Sequence, residues 1–434
     1  MAGILSANAQ TARQDVAAQF ARSASNHYAY PAPTRALTPA PEGYEAFYIS
    51  HYGRHGSRWL SSEGAYTRPV AQLEHANREG MLTEQGKHLL YILRDVAAAA
   101  HDRAGDLSDI GAQQHRDIAT RMFNNFPSVF GGKAVVTARS SMKIRCILSM
   151  QNETMTLRAL NPDIRITTDA SASDMGRLAY GYGEDTLANK LRARMNLITD
   201  SMYRHNIKPQ RFVDQLIDNA PSLEWLDGLQ LMRDVFDIAG NMQSHAFATQ
   251  GGHAVARPVI EARYDLYDLF PAADAHLLWK RANWAWYVHY GHNPVCGAEA
   301  PFSQTYLLRS FIAAADSCLA TQQQGRTPRN VATLRFGHEV CVLPLACLME
   351  LGSCGYRATN PDDLAAHWRN YEIFTMASNV QLVFFRSKKA GAPILVKPLL
   401  NEREVTVAHL PQVAPGYYKW DDVRAFWLTK LTGK

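Results

Sequence analysis

The sequence predicts an α/β protein with a mostly parallel central sheet, flanked by helices, and a large inserted α-helical domain. The strand-like run at 46–52 stops at a glycine that is followed by Arg and His. The run at 332–336 also stops at a glycine, which is followed by His and Glu. Charged residues at a strand exit are typical of ligand sites in α/β proteins. Between the two runs, from about residue 183 to 325, helical patterns dominate. We therefore expect one sheet formed by both ends of the chain.

The individual elements follow from local patterns. Aromatic and β-branched runs predict strands at 46–52, 133–137, 332–336, 380–385, 394–396 and 405–407. Apolar residues at helical spacing predict helices at 107–125, 186–203, 223–242, 262–289 and 303–319, and we expect Ser108 or Asp109 to cap the first. The apolar run 340–349 and the tryptophans of 279–286 indicate buried core, although a substrate platform is the alternative for the tryptophans.

These elements divide the chain into three expected parts. Residues 1–45 form an N-terminal lead-in, 46–150 and 326–434 form the α/β core, and 151–325 form a mainly α-helical insertion domain. The prolines of the lead-in disfavour regular structure from 10 to 45. Ala7-Asn8-Ala9 before Gln10 has the small-x-small form of a signal-peptidase site, but no charged or long apolar region precedes it. It is a candidate signal-peptide stub or a chance match in an alanine-rich tail.

Composition excludes several classes of protein. Hydrophobic residues make up 47% of the 434 residues, which suits a globular protein with a substantial core. The net charge is +5 and no Lys/Arg-rich run occurs, so we expect no nucleic-acid partner. No apolar stretch is long enough to predict a membrane span.

The six cysteines leave two alternatives open. No C-x-x-C pair occurs, which removes the main support for zinc-ribbon and thioredoxin-type sites. Cys341, Cys347 and Cys354 are close enough in sequence to hold one disulfide, and buried free thiols are equally compatible.

The residues at the strand exits suit phosphoryl transfer. Arg54, His55 and Arg58 follow the first strand, His338 and Glu339 follow the later one, and Arg145 lies between them in sequence. Guanidinium groups bind phosphoryl oxygens, a neutral imidazole can attack phosphorus, and a carboxylic acid can protonate the leaving oxygen. Each residue alone has an ordinary structural role as its alternative, so the hypothesis depends on the ordered set.

The same segments resemble a known family. Arg54-His55-Gly56-Ser57-Arg58 resembles the R-H-G-x-R signature of branch-two histidine phosphatases, the acid phosphatases and phytases, and the strand before it resembles bacterial multiple inositol polyphosphate phosphatases. Further similarity lies in Arg139-Ser140-Ser141 with Arg145 and Ser149, in Leu82-Thr83 with Gly86, in Leu107-Ser108 with Gly111, and in Phe336-Gly337-His338-Glu339 with Pro344-Leu345. The matches run in family order from about residue 45 to 355.

The resemblance implies a phosphoglycerate-mutase-like core and a role for each site residue. His55 would be the nucleophile and Glu339 the proton donor, whereas Arg54, Arg58, Arg145 and His338 would bind the transferred phosphoryl group. It implies no metal and no organic cofactor. We also expect a small phosphate ester as substrate, and the candidate signal-peptide stub leads us to expect export to the periplasm or exterior of a bacterium.

Three positions depart from the family pattern. Leu60 stands where many relatives have Pro, and Trp59 where the inositol phosphatase group often has Tyr. Glu339 directly follows His338, where one subgroup has Asp and the inositol polyphosphate subgroup has His-Ala-Glu. If Glu339 is the proton donor it must be protonated, so activity should favour acid pH unless its surroundings raise its pKa.

Substrate preference rests on a weaker signal. Lys133 and Lys143 lie near Arg145 in sequence, and Arg335 precedes His338. We expect Lys143 and Arg335 in an outer cleft, where extra cations would favour inositol polyphosphates such as phytate. Ordinary solvated charges are the alternative, and a broad-specificity acid phosphatase is the alternative function.

Other functions fit less well. A cofactor-dependent mutase would share the Arg-His-Gly start, but the spacing to Arg58, the helical block and the candidate export stub argue against it. A metalloprotease motif starting at His338 requires a second His where the chain has Val342. A non-catalytic phosphate-ester-binding protein is disfavoured because the nucleophile and the arginines are all present.

Overall fold

The computed structural model describes residues 11–179, 194–199, 207–220, 223–245, 266–323 and 330–432. Ala7-Asn8-Ala9 and most of the helix predicted at 186–203 lie outside the described residues. The proposed division into an α/β core and a helical insertion stays a prediction.

Eight strands of the described chain form one sheet. They are β1 Tyr44–Arg54, β2 Val135–Ser140, β3 Arg165–Asp169, β4 Ala332–Gly337, β5 Asn379–Ser387, β6 Leu395–Leu400, β7 Arg403–Glu404 and β8 Tyr418–Lys419. The order is β3-β2-β4-β1-β5-β6-β7, and β8 also pairs with β6. Pairing is parallel from β3 through β1 and antiparallel beyond it. The α/β fold class is confirmed, although β3 joins the sheet from within the range predicted as a helical insertion.

Helices cover both faces of the sheet and form a separate packed layer. They are α1 Ala12–Ala18, α2 Gly64–Arg78, α3 Glu84–Ala100, α4 Asp109–Asn125, α5 Pro127–Phe130, α6 Ile144–Leu160, α7 Met175–Leu178, α8 Gln210–Asp214, α9 Gly228–Met242, α10 Ala272–Tyr290, α11 Thr305–Gln323, α12 Glu339–Leu348, α13 Pro361–His367, α14 Asn370–Ile373 and α15 Trp420–Thr432. None of these helices combines the length and apolar character needed to cross a bilayer.

The period of two along the strands sends side chains to opposite faces of the sheet. On one face, Ile49 and Phe336 pack with Ile118 of α4 and Met150 of α6. On the other, Tyr48 and Tyr52 pack with residues of α11 and α12, including Phe311 and Leu343. Every residue of α12 from 341 to 348 is buried, as the apolar run predicts.

A third core lies in the helical layer. Val16 of α1, Leu93 of α3 and Val235 of α9 belong to it, together with Trp279 near the middle of α10. Trp284 of the same helix belongs to the core against the sheet. Helix α10 therefore links the two cores, and these two tryptophans are core residues, as expected.

The N-terminal lead-in differs from the prediction. Residues 12–18 are α-helical and 20–27 form a 3-10 helix, whereas irregular structure was expected. Thr11 and Gln14 form a capping box that starts α1. The prolines on which the expectation rested begin only at Pro31, after both helices.

Two smaller expectations are resolved by the structure. The prediction of a strand at 405–407 is wrong. Asn401 and Glu402, both with positive φ, turn the chain, so that pairing with β6 begins at Arg403. All six cysteines are buried free thiols, so the disulfide alternative for Cys341, Cys347 and Cys354 is not realised.

Close backbone contacts position the loop after β1. Ser108 caps α4 by accepting a hydrogen bond from the Gly111 backbone N–H. A Cβ at Gly111 would lie 2.1 Å from the carbonyl oxygen of Ser57 and 2.7 Å from its nitrogen. Only glycine permits α4 to approach the loop this closely. Helix α3 begins with the same pair of features: the Thr83 side chain accepts from the Gly86 backbone N–H, and a Cβ at Gly86 would clash with a backbone carbonyl.

We predict that Gly111→Ala lowers the free energy of unfolding by about 1–3 kcal/mol, because the new methyl group must push Ser57 away. Gly176→Ala is the matched control, since a Cβ there meets no atom within 4 Å. Denaturant unfolding of both variants measures the difference. Equal stability of the two variants would contradict the close-contact explanation.

Candidate active site

The parallel pairing of β1 with β4 brings the two predicted motifs together. Arg54 pairs with Gly337 in the sheet, and the His55 backbone N–H donates to the Gly337 carbonyl over 3.0 Å. His338 and Glu339 follow at the start of α12, and the rings of His55 and His338 lie 5.5 Å apart. The cluster therefore lies at the carboxyl ends of parallel strands, where α/β proteins bind ligands.

His55 is buried, and its ring is oriented by one hydrogen bond. Nδ1 lies 2.9 Å from the Gly56 carbonyl oxygen, and a carbonyl can only accept, so Nδ1 carries the proton. Nε2 is buried and has no hydrogen-bond partner among the described residues. Burial, followed by the charges of Arg54, Arg145 and Arg58, lowers the pKa of His55 well below its ordinary value. The imidazole is therefore neutral, with the Nε2 lone pair available for attack.

Arg54 is fully buried at the centre of the cluster. Its Nη1 donates to the carbonyl oxygens of Asn26, at 2.7 Å, and Phe374, at 3.1 Å. Its Nε lies 3.0 Å from Glu339 Oε2. Its Nη2 is buried and has no hydrogen-bond partner in the described part of the chain.

Arg58 and Arg145 also have buried nitrogen donors for which the described residues offer no acceptor. Arg58 Nη1 donates to the Trp59 carbonyl, while its buried Nε has no hydrogen-bond partner. Arg145 comes from the first turn of α6, and its Nε is also buried without a hydrogen-bond partner among the residues described. Buried donors without acceptors are costly, so this cluster fits an anion that supplies several acceptor oxygens.

Glu339 lies between the arginines and the histidines. Burial alone would raise its pKa, but Arg54 and Arg58, helped by His338, outweigh burial and lower the pKa to about 2. The carboxyl group is therefore ionised in the structure described. This differs from the protonated state that the sequence-based role requires, because that prediction did not include the contact with Arg54.

His338 is held in place by contacts with residues of two other segments. Its Nε2 lies 3.2 Å from the Ser141 hydroxyl, and its backbone N–H donates to the Tyr52 hydroxyl. Burial, and then the nearby Arg145 and Arg54, lower its pKa to about 4, despite the opposing charge of Glu339.

Side chains from three helices hold the loop that carries His55 and Arg58. The Gly56 N–H donates to Ser149 of α6, the Ser57 N–H donates to Gln114 of α4, and Asn241 of α9 donates to the Arg58 carbonyl. Ser149 belongs to the motif found in the sequence. Gln114 and Asn241 were not predicted, because nothing in their local sequence indicates a contact with this loop.

The two residues expected in an outer cleft have different positions. Lys143 is exposed, two residues before Arg145. Arg335 is buried, and its guanidinium donates to Ser50, to the His51 carbonyl and to Ser310 of α11. Its placement in an outer cleft is therefore wrong, since the alternation along β4 sends its side chain to the sheet face that α11 covers, where it is buried.

The N-terminal segment supplies groups that the sequence did not indicate. Asn26 provides a carbonyl oxygen to Arg54, and His27 is close enough to the cluster that charges there affect it. Burial first, then Arg58 and Arg54, lower the pKa of His27 to about 3. No local motif marks either residue.

The cluster also has the ligand types of a metal site. The ligand atoms of His55, His338 and Glu339 lie within 4.8 Å of one another. However, Arg54 contacts Glu339 and the charge of Arg58 also acts on it, so both arginines oppose a cation there. The charge of the site favours an anion.

Known structures show the same architecture. The multiple inositol polyphosphate phosphatase of Bifidobacterium longum in complex with inositol hexasulfate superposes with a TM-score of 0.73 at 18% identity, covering 95% of this chain and 99% of that chain. Its complex with phosphate gives a TM-score of 0.72 at 19% identity, with 94% and 98% covered. The phytase from D. castellii gives 0.67 at 12% identity, with 95% and 86% covered.

The chain shares the fold of these phosphatases. The fold-level expectation from the sequence motifs is thereby confirmed across nearly the whole length of the B. longum enzyme. Neither a protein-family model nor a curated protein matches the sequence.

We predict that the imidazole of His55 stays neutral at pH 5, because burial and three guanidinium groups oppose its protonation. Nitrogen NMR of the histidine side chains across pH 4–7 tests this, with His55→Asn used to assign the signal. An imidazolium spectrum for His55 at pH 5 would contradict the charge arrangement described above.

Proposed function

We propose that the protein is a histidine acid phosphatase, which hydrolyses phosphate monoesters of inositol through a phosphohistidine on His55. The observation that carries the proposal is the buried, neutral Nε2 of His55 among unpartnered guanidinium donors of Arg54, Arg58 and Arg145. A phosphoryl group satisfies all of these donors while it presents phosphorus to Nε2.

The first step transfers the phosphoryl group to His55. The Nε2 lone pair forms a bond to phosphorus, and the ester P–O bond breaks. The arginines and His338 bind the equatorial oxygens, whose negative charge must be held throughout. The departing alkoxide takes a proton, which Glu339 is placed to deliver.

Because Glu339 is ionised in the free protein, the proton for the leaving group must arrive with the substrate. A phosphate monoester loses its second proton with a pKa of about 6, so below that pH the substrate brings a proton with it. The bound phosphoryl group also neutralises the arginines that lower the pKa of Glu339, which favours protonation of the carboxyl group in the complex. Both effects favour activity at acid pH.

The second step restores the enzyme. Water attacks phosphorus, the P–N bond to His55 breaks, and Glu339 accepts the proton that the water loses. Inorganic phosphate and neutral His55 result. Both steps use only side chains of this protein, the substrate and water; the absence of a metal or an organic cofactor stays a prediction.

The proposed preference for inositol polyphosphates is supported by the likeness to the B. longum enzyme. The similar B. longum enzyme was crystallised with inositol hexasulfate, a sulfate analogue of a polyphosphorylated inositol. A broad-specificity acid phosphatase remains the second candidate, because its chemistry would use the same residues. Export to the periplasm or exterior of a bacterium stays a prediction of the sequence.

The decisive assay is release of phosphate from inositol hexakisphosphate and from phenyl phosphate between pH 3 and pH 7. We expect both to be hydrolysed, with the inositol substrate preferred, and His55→Ala to lower turnover about ten-thousandfold or more while substrate binding survives. Near-normal turnover by His55→Ala would refute the phosphohistidine mechanism. Hydrolysis of phenyl phosphate alone would support the broad-specificity alternative.

A second prediction concerns the proton donor. Glu339→Ala should slow esters with alkoxide leaving groups, such as inositol phosphates, by about 10²–10⁴-fold, because those leaving groups need a proton. An activated aryl ester such as 4-nitrophenyl phosphate should lose much less. Equal losses on both substrates would assign the proton to another group.

A further inference from the structure

Helices α4 and α6 share a buried pair of ionisable side chains. Nδ1 of His115 on α4 lies 2.9 Å from Oε2 of Glu153 on α6, and both side chains are at most 1% exposed. Nε2 of His115 and Oε1 of Glu153 are buried and have no hydrogen-bond partner among the described residues. The proposed reaction uses neither residue, and buried polar groups of this kind call for a reason.

The pair lies one helical turn from two contacts that hold the loop after β1. On α4, Gly111 precedes His115 by four residues and packs closely against the backbone of Ser57. On α6, Ser149 precedes Glu153 by four residues and accepts a hydrogen bond from the loop backbone. Residues four apart lie on the same face of a helix, so each member of the pair lies directly beneath a loop contact.

Two further contacts connect this region to the nucleophile. Gln114, the residue before His115, accepts a hydrogen bond from the Ser57 N–H and donates to the Ser57 hydroxyl. The ring of His115 lies 5.8 Å from that of Phe336 in β4, and the next carbonyl of β4 accepts from the His55 N–H. A shift of α4 against α6 would therefore reach His55 both through the loop and through the end of β4.

An ionisable pair is not the most stabilising way to pack two helices. Both groups lose their hydration, and apolar side chains of similar volume often give equal or greater stability at such positions. Apolar cores, however, tolerate repacking with some loss of a unique arrangement, whereas a hydrogen bond requires a defined distance and angle. The pair therefore specifies the rotation and axial position of α4 against α6 more strictly than two leucines would.

We propose that His115 and Glu153 are positioning residues for the nucleophile, and that their hydrogen bond fixes α4 against α6 so that the loop holds His55 in line with the bound phosphoryl group. The proposal rests on the proposed function for the role of His55. The position of the loop itself can be measured without turnover.

The expected signature is a loss of rate with little loss of affinity. A displacement of about 1 Å at a reacting centre can lower a rate about a hundredfold. Arg54 and His338 are held by contacts outside the loop, namely with Asn26 and Phe374 and with Tyr52. These two residues would therefore still bind the phosphoryl group when the loop is displaced.

The variant that carries both His115→Leu and Glu153→Leu is the main test, because replacing both partners leaves no unpaired buried charge. We expect its Tm to remain close to that of the unmodified protein. Its kcat for 4-nitrophenyl phosphate should fall about ten- to a hundredfold, while the Kd of inorganic phosphate rises no more than about threefold. This ester has an activated leaving group, so the assay depends little on proton donation by Glu339.

Glu153→Gln is the conservative variant, since the amide oxygen can still accept from Nδ1 of His115. It should retain kcat within about threefold of the unmodified protein. Arg116→Met is the matched control, because Arg116 is the next residue of α4 and joins α6 through Asn152 from a part-buried position. It should leave kcat unchanged.

Hydrogen exchange of the Gly56 and Ser57 amides tests the loop without turnover, since these N–H groups donate to Ser149 and Gln114. Both should exchange about tenfold faster or more in the double leucine variant, and at unchanged rates in Glu153→Gln and Arg116→Met.

Unchanged exchange in the double leucine variant would overturn the proposal. So would equal losses in Arg116→Met, which would assign the effect to helix packing in general, or equal losses in Glu153→Gln, which would exclude the hydrogen bond as the cause. If the unmodified protein hydrolysed no phosphate ester, the proposed function would fail, and the exchange rates would still decide whether the pair positions the loop.

Discussion

The site depends on how the protein holds the fully buried guanidinium group of Arg54. A buried cation is costly unless its charge and its donors are met. Two carbonyl oxygens and the Glu339 carboxylate meet only part of this requirement. The buried Nη2 of Arg54 has no hydrogen-bond partner among the described residues. Because the carbonyls come from the N-terminal segment and from the stretch before β5, correct placement of Arg54 requires both to be in position.

The same cluster explains why the histidines are neutral. Burial and three guanidinium groups lower the pKa of His55 and of His338, and burial with Arg58 and Arg54 lowers the pKa of His27. A nucleophile that is neutral at acid pH is what an acid phosphatase needs, since imidazolium has no lone pair to offer. In the proposed mechanism, a bound phosphoryl group would offset the cost of assembling these charges in a buried site, so substrate affinity and catalysis would both result from one arrangement.

Much of this site could be predicted from the sequence because its signals are local. His55 and Arg58 follow directly from a strand, His338 and Glu339 from another, and a strand exit can be recognised from neighbouring residues. The ionised state of Glu339 could not be predicted, because it depends on a contact with Arg54, which lies 285 positions away in the chain. Asn26 and His27 carry no motif, and only the folding of the N-terminal segment places them beside the site. The predicted location of Arg335 was wrong because the sequence does not show to which side of β4 its side chain points.

The route of the chain has a consequence for when activity can arise. Ser25 and Asn370, joined by a side-chain hydrogen bond, are separated by 345 residues, and the Met376 N–H donates to the Tyr28 carbonyl. A ribosome must therefore release the chain as far as Phe374 before Arg54 can meet the Phe374 carbonyl. A nascent or translocating chain that stops short of Phe374 lacks this contact, so the proposed phosphate site cannot assemble before that residue has been released.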